Sequence, residues 1–171
     1  MPAAPTRSGV RADLEAVFRE NYSLVVAVAA RVLGSRDQAE DVAQDVFLSF
    51  SRSPVPAGET RGWLSVAAAH TALNLIRSGK RRGLREQAAG GDTVVPDVAD
   101  TVVTDEERGI VRAALARLPH KQAVALVLRH SGLSYADVAA ALDISPGSVG
   151  TTVRRAESAL RKELIRHASS D

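Results

Sequence analysis

Apolar side chains recur along this chain at the spacing of amphipathic helices, and no stretch alternates as a half-buried strand does. An apolar first helix is predicted from about Ala12 to Leu33, with Gly34 as its stop. Ser35 and Gln38 have the spacing of a capping box, so a second helix is predicted to run to about Ser51. The first helix carries Leu14, Val17, Phe18, Leu24, Val25, Val28 and Val32, and the second carries the buried stripe Ala39, Val42, Ala43, Val46, Phe47 and Phe50.

The middle of the chain contains a loop, a further helix and a linker. Two prolines and a glycine between residues 51 and 62 predict the loop. The helix is predicted from about Trp63 to Arg82, with Leu64, Ala68, Ala72 and Leu75 facing the core. Residues 83–103 contain Gly90-Gly91 and Pro96 but no helical stripe, which predicts an extended linker.

The C-terminal third begins with another capping box, Thr104 with Glu107, and a helix that ends near Leu118-Pro119. A second helix is predicted over about Lys121 to His130, and Gly132 stops it. The fold class predicted from all these segments is all-α, with two small helical domains joined by an acidic linker.

The last segment predicts a helix-turn-helix. Ser134 is the expected N-cap of a short helix, with Asp137 at its third position. Asp143 to Ser145 form the turn; Ser145 is expected to cap the next helix, and Pro146 suits its first position. The inward positions of that helix are Val149, Val153, Ala156, Leu160 and Leu164.

In a helix-turn-helix the second helix enters the major groove and presents its outward side chains to bases and phosphates. Here the outward set is Ser148, Thr151, Thr152, Arg154 and Arg155. Arginine can bind guanine or phosphate through two hydrogen bonds, and the hydroxyl groups add adaptable contacts. The pattern favours DNA binding, while an ordinary helical hairpin with a solvated face is the alternative.

The charge distribution is more informative than the net charge of +2. Residues 77–85 hold five basic residues and no acid, whereas residues 92–107 hold six acids and no base. Adjacent blocks of opposite sign suggest two different partners. The chain has no cysteine and no apolar run long enough for a membrane span. We therefore expect a cytoplasmic protein without membrane insertion, disulfides or a thiolate metal site.

Three segments together resemble extracytoplasmic-function sigma factors of bacterial RNA polymerase: DQAEDVAQDVFLSF from residue 37, RGWLSVAAAHTALNLIRSGKRR from residue 61, and the long segment over residues 115–164. The resemblance implies a sigma factor that binds core polymerase and directs promoter recognition, and that is not an enzyme. It also implies a domain 2 over residues 10–83, a linker over 84–103 and a domain 4 over 104–171.

The exposed face of the second helix suits a basic partner. Its members are spaced at i, i+4, i+7, i+8 and i+11: Asp37, Asp41, Gln44, Asp45 and Leu48. The resemblance implies that this face docks on a basic coiled coil in the polymerase clamp, where charge complementarity guides binding. A merely solvated acidic face is the alternative.

The third helix places Trp63, His70, Asn74, Arg77 and Arg81 on one face, within the basic block that includes Lys80 and Arg82. The resemblance implies that this face binds the melted minus-ten promoter element, with Trp63 near the point of strand separation. Stacking beside a basic track is how proteins hold single strands. The alternative for Trp63 is a core aromatic residue.

The chain departs from the family pattern in both DNA-binding regions. His70 stands where many relatives have asparagine, and Gly150 and Thr152 stand where relatives often have long basic side chains. We therefore expect reading of the minus-thirty-five box to depend on Arg154 and Arg155. The family habit also implies an anti-sigma partner and a linker that runs toward the polymerase active centre, although a plain tether is the alternative for the linker.

Two other functions were weighed. A helix-turn-helix regulator without polymerase docking would need a sensory domain of alternating strands and helices, which the N-terminal half does not predict. An enzyme would need a recognised site. The four histidines lack metal-ligand spacing, and there is no glycine-rich phosphate loop. We expect no cofactor and no metal.

Overall fold

The computed structural model describes residues 11–79 and 104–170, and both ranges are helical. The N-terminal half contains α1 (Leu14–Leu33), α2 (Arg36–Ser51), a short 3-10 turn (Ala57–Glu59) and α3 (Thr60–Ser78). These three helices pack against one another. The six apolar positions predicted for the stripe of α2 are all buried, which confirms the helical periodicity of that segment.

The boundary between α1 and α2 follows from two local features. Gly34 adopts a left-handed conformation (φ 68°) and donates its backbone N–H to Ala30 O, which ends α1. Ser35 then accepts a hydrogen bond from Gln38 N at 3.3 Å and so satisfies one of the free amides at the start of α2.

The C-terminal half contains α4 (Asp105–Arg117), α5 (His120–His130), α6 (Tyr135–Leu142) and α7 (Pro146–Ala168). Both hydrogen bonds of the predicted capping box, between Thr104 and Glu107, are present at the start of α4. Ser134 accepts a hydrogen bond from Asp137 N at the start of α6, as predicted. The helix α7 packs against α4, α5 and α6.

The turn between α6 and α7 has the expected form, but its capping differs from the prediction. Asp143 adopts the left-handed conformation (φ 54°), which turns the chain sharply after α6. Ser145 occupies the N-cap position of α7, yet its hydroxyl pairs with the Ser148 hydroxyl at 2.7 Å instead of accepting a backbone amide. The prediction that Ser145 caps through its side chain was wrong because a second hydroxyl, three residues on, competes for it.

Three further predictions about the N-terminal half need correction. α3 begins at Thr60, three residues before the predicted Trp63. Phe18 is 42% exposed, although its ring packs on those of Tyr22 and the buried Phe47. Leu75 is 46% exposed because the buried face of α3 also includes Leu73, which places Leu75 at its margin. The predicted continuation of α3 to Arg82 and the linker lie outside the described residues.

The two halves are in contact. α3 packs against α4, α5 and α6, and α1 also contacts α5. The sequence did not predict this arrangement. No helix within residues 11–79 and 104–170 is both long and apolar enough to cross a membrane.

Candidate polymerase and promoter interfaces

The acidic face predicted on α2 is exposed along its length. Its polar members are Asp37, Asp41, Gln44 and Asp45, and all are exposed. Leu48 is 54% exposed, an apolar contact at the end of the acidic row. The opposite face of α2 is buried against α1 and α3, which fixes the rotation of the helix. We call these five residues the docking face.

The loop before α3 is held by an arginine that the sequence did not single out. Arg11 donates to Ser53 O at 3.1 Å and to Val55 O at 2.6 Å, and its guanidinium lies 4.3 Å from the centre of the Phe50 ring. Hydrogen bonds from Arg11 also lower the pKa of Asp13. No spacing rule could link Arg11 to carbonyl groups more than forty residues away.

Trp63 lies in the first turn of α3 and is half-buried. Its ring centre is 5.7 Å from that of Phe50, at an interplanar angle of 54°. The side chain therefore combines the two roles that the sequence left open: one part packs on the core, and another part faces outward.

Two other residues of the predicted DNA-binding face of α3, His70 and Arg77, contact the C-terminal half. Arg77 donates from Nε to Ala116 O (3.2 Å), from Nη2 to Leu118 O (2.8 Å) and from Nη1 to His120 Nδ1 (3.0 Å). His70 Nδ1 lies 2.6 Å from His120 Nε2. Lys80, Arg81 and Arg82 lie outside the described residues. We call Trp63, His70, Asn74 and Arg77 the promoter face.

The hydrogen-bond chain through the two histidines has a single consistent protonation pattern. Arg77 can only donate, so His120 Nδ1 must accept, and His120 is then a neutral imidazole that donates from Nε2 to His70 Nδ1. His70 Nε2 lies 3.0 Å from Asn74 Nδ2, so the side-chain amide of Asn74 must be turned, with its oxygen toward His70, to accept the proton that this tautomer places on Nε2. Burial lowers the pKa of His120, and the neighbouring His70 and Arg77 lower it further. Both effects favour the neutral form that the geometry requires.

The helix-turn-helix presents the predicted residues of α7 outward. Ser148, Thr151, Arg154 and Arg155 are exposed, while the inward Val149, Val153 and Ala156 are buried. Thr152 is half-buried, and its hydroxyl donates to Ser148 O at 2.8 Å, which leaves only its oxygen lone pairs for another partner. The outward face is therefore thinly charged in its first two turns.

A pair of side chains beside this face was missed at the sequence level. The guanidinium carbon of Arg129, in α5, lies 4.8 Å from the centre of the Tyr135 ring, in α6. A Cβ atom at Gly150 would lie 3.7 Å from the same ring. The Tyr135 ring thus lies against the backbone of α7 at Gly150 and carries a cation on its surface. Both side chains are exposed, and their spacing of six residues across a turn gives no helical signal.

The described residues contain no group of three or more His, Asp or Glu side chains that could hold a metal ion. The two histidines that contact each other are His70 and His120. Their other ring nitrogens are hydrogen-bonded to Asn74 and Arg77, respectively.

Family models match both halves of the chain. Residues 17–82 match a model described as Sigma-70 region 2, and residues 108–160 match one described as Sigma-70, region 4.

Similar proteins carry the same description. The chain is 30% identical over 155 residues to the ECF RNA polymerase sigma factor SigK of Mycolicibacterium vanbaalenii, a match that covers 86% of this chain and 79% of SigK. It is 30% identical over 162 residues to the ECF RNA polymerase sigma factor SigE of Mycolicibacterium smegmatis, covering 90% of this chain and 62% of SigE.

Among solved structures, the sigma factor RpoE of Bartonella quintana, in complex with the anti-sigma factor NepR, has a similar fold. The TM-score is 0.54 at 23% identity, over 90% of this chain and 97% of RpoE.

Proposed function

This chain belongs to the extracytoplasmic-function family of RNA polymerase sigma factors, and we propose that each of its two halves recognises a different element of the promoter. The N-terminal half docks on core polymerase and holds the melted minus-ten element, and the C-terminal half reads the minus-thirty-five box. The observation that carries this proposal is the helix-turn-helix. Its left-handed turn at Asp143 and its buried Val149 and Val153 aim Arg154 and Arg155 outward.

The docking face of α2 binds a basic surface of the polymerase. Three exposed carboxylates, at Asp37, Asp41 and Asp45, lie along one side of a helix whose other side is fixed in the core. Exposed charges of one sign guide association and reject surfaces of like sign more than they add affinity. Leu48 supplies an apolar contact at the end of the row. A basic coiled coil in the clamp is the partner of matching shape and charge.

The promoter face binds single-stranded DNA. Trp63 offers an aromatic surface for stacking, and the Arg77 guanidinium can bind a phosphate once it is released from the C-terminal half. Lys80, Arg81 and Arg82 follow in the sequence and extend the positive charge. The loop that Arg11 holds in place lies at the start of this face and receives an unstacked base.

The minus-thirty-five box is read by Ser148, Thr151, Thr152, Arg154 and Arg155, with Arg155 as the principal base contact. Arg129 supplies positive charge that the start of α7 lacks. It lies over the Tyr135 ring beside Gly150, where a long basic side chain on α7 itself would compete with that ring for space. A cation held on an aromatic face keeps its outer N–H groups available for a phosphate.

The protein acts as a dissociable regulatory subunit in the cytoplasm and catalyses no reaction of its own. Its domain 2 spans residues 10–83, its linker 84–103 and its domain 4 residues 104–171. An anti-sigma protein, like the one that RpoE of Bartonella quintana binds, regulates it by covering these surfaces.

Run-off transcription tests the proposal. Purified core polymerase is supplied with this chain and a genomic promoter library, and core polymerase alone is the control. Promoter-specific transcripts that depend on the chain are the expected result. If the chain binds core polymerase but yields no specific transcript, promoter recognition is not its function.

A further inference from the structure

Two of the contacts between the halves are made at helix ends, by one arginine from each half. Arg77, from α3, donates to Ala116 O and Leu118 O at the C-terminal end of α4. Arg112, from α4, donates to Leu33 O at the C-terminal end of α1 at 2.7 Å. The last carbonyls of a helix have no partner within it and carry partial negative charge, so a guanidinium is a favourable cap. Each half therefore caps the C-terminal end of a helix in the other half.

The fit around Arg112 shows that this contact is specific. The left-handed Gly34 carries no side chain, and a Cβ atom there would overlap the Arg112 guanidinium. Arg112 is half-buried, in contrast to Arg117 in the last turn of the same helix, which is exposed and pairs with Glu163 inside the C-terminal half. Burial lowers the pKa of Arg112, but a guanidinium remains charged in a protein.

The second half also covers the start of α3. A Cβ atom at Gly62 would lie 3.5 Å from the Cβ of Ala141 in α6, immediately beside Trp63. At that distance the two helices are in direct contact, and no nucleotide can pass between them. Farther along the promoter face, each nitrogen of the Arg77 guanidinium donates to an acceptor of the C-terminal half, which takes three of its five N–H groups. A phosphate cannot use these donors at the same time.

From these contacts we propose that the free chain inhibits itself: its C-terminal half holds Arg77 and lies against the start of α3 beside Trp63, in a closed arrangement that must open before promoter DNA binds the promoter face. This inference rests on the proposed function of the promoter face. The docking face of α2 stays exposed in the closed arrangement, so core polymerase can engage the chain before it opens. A groove of about 430 Å³ lies between Arg31 of α1 and apolar residues of the C-terminal half, among them Leu126 and Leu160, so the halves are not packed together at that edge of their contact.

A disulfide across the contact tests the proposal directly. The chain contains no cysteine, and the separation of the Gly62 and Ala141 positions, 3.5 Å between Cβ atoms, is within the range that disulfides require. The double variant Gly62→Cys with Ala141→Cys is oxidised, and each redox state is assayed for binding of a single-stranded oligonucleotide. Its sequence is the non-template strand of the strongest promoter from the run-off assay.

The expected result is that the disulfide forms readily in the free chain and that the oxidised protein loses oligonucleotide binding, which reductant restores. Because only redox state differs, any effect of the substitutions themselves cancels. If the disulfide does not form, or if the oxidised protein binds as the reduced one does, the proposal is wrong. Transcription by the reduced protein distinguishes the failure of self-inhibition from the failure of the proposed function. If the reduced protein also gives no specific transcript in run-off assays, the proposed function is wrong.

A second variant weakens the closed arrangement and changes no residue of the docking face or the promoter face. Arg112→Ala removes the cap on α1 and should strengthen oligonucleotide binding by the free chain about tenfold, because a larger fraction of molecules is competent to bind. Arg117→Ala removes a guanidinium from the same helix but breaks no contact between the halves, and should leave binding unchanged. Equal effects of the two substitutions, or none from Arg112→Ala, would count against the proposal.

Discussion

At the scale of single residues, His120 makes the closed arrangement sensitive to acid. The ionisable groups that face it are His70 and Arg77 of α3, and both are bases. Its lowered pKa means that the closed arrangement binds a proton less readily than the open one, in which we expect the ordinary value of 6.5. The closed arrangement is therefore fully favoured above that value and weakens as the pH falls below it.

We expect a mild acid shift, from about pH 7.5 to about pH 5.5, to lengthen the distance between the halves. Spin labels at Ser23→Cys and Ser158→Cys, both exposed, report this distance by pulsed electron resonance. His120→Gln should abolish the pH dependence, whereas His130→Gln, an exposed histidine in the same helix, should preserve it. A pH response that survives in His120→Gln would assign the effect to another group.

Trp63 gives a second prediction at this scale, because it contributes both to the core and to the promoter face. Trp63→Ala should lower the free energy of unfolding by about 1–3 kcal/mol, less than for a fully buried ring, and should impair promoter melting more than initial duplex binding. Urea unfolding measures the first effect and permanganate footprinting the second. A pre-melted template should partly restore the variant.

Phe18→Ala is the matched control, since Phe18 also loses ring contacts but lies on α1, away from the promoter face. If this control impairs melting as much as Trp63→Ala does at equal loss of stability, Trp63 acts through the fold alone.

At the scale of the helix, α2 shows how a buried stripe determines a binding surface. Its buried residues fix its rotation, so the carboxylates opposite must face outward. Asp41→Arg should weaken binding to core polymerase while leaving the circular dichroism spectrum intact, because the substitution opposes a basic partner at an exposed position. Glu106→Arg, at an exposed position of the other half, changes the net charge equally and should have little effect. Equal affinity of Asp41→Arg and the parent would remove the docking assignment.

On α7 we expect base contacts and phosphate contacts to fall to different arginines. Val153, which directly precedes Arg154 and Arg155, is buried and so fixes the directions of both, with Arg155 on the same side of the helix as Ser148 and Thr151. We expect Arg155→Ala to cost holoenzyme about 1–3 kcal/mol and to relax specificity at one position of the minus-thirty-five box, and Arg154→Ala to cost less. Binding to a series of mutated boxes measures both. If Arg155→Ala discriminates the boxes as the parent does, α7 does not read DNA as proposed.

Arg129 should behave differently from Arg155, because it lies on α5 and reaches DNA only at the edge of the recognition surface. Arg129→Ala should weaken binding to every box to a similar extent and reduce the salt dependence by about one counterion. Tyr135→Phe keeps the ring beneath Arg129 and should change neither quantity. A change in sequence preference on losing Arg129 would make it a base contact instead.

At the scale of the whole molecule, local patterns predicted the helices but not their assembly. The stripes of α2 and α7 and the capping boxes depend on residues three and four apart, which a sequence displays directly. The reciprocal arginine caps and the His70–His120 pair join residues 39 to 79 positions apart. Their acceptors are mostly backbone carbonyls, which every residue has, so no residue type marks them. The exposure of Leu75 is a similar case. Leu73 and Leu75 both suit a core position, and only the packing of α3 against the other helices shows that Leu73 is the buried one.

The boundaries of domain 2 and domain 4 stay predictions, because residues 80–103 lie outside the described part of the chain. The predicted promoter contacts Lys80, Arg81 and Arg82 lie in that range as well. Of the face of α3 that precedes them, the structure brings His70, Asn74 and Arg77 together through His120, as their spacing predicted. What the spacing could not reveal is that this face has a second partner within its own chain.

The reciprocal caps have a thermodynamic consequence because both partners lie on one polypeptide. Covalent connection presents the C-terminal half to the promoter face at an effective concentration of about millimolar, whatever the concentration of the protein. Two arginine caps are then enough to keep Arg77 of the promoter face bound to the C-terminal half, although they would be too weak to join separate molecules. Dilution of the protein does not break this contact. A DNA strand competes against that fixed local concentration. Its apparent affinity for the free chain is therefore the affinity for the open arrangement multiplied by the fraction of molecules that are open. Core polymerase, which gathers the sigma chain and the promoter on one scaffold, removes the disadvantage by the same principle.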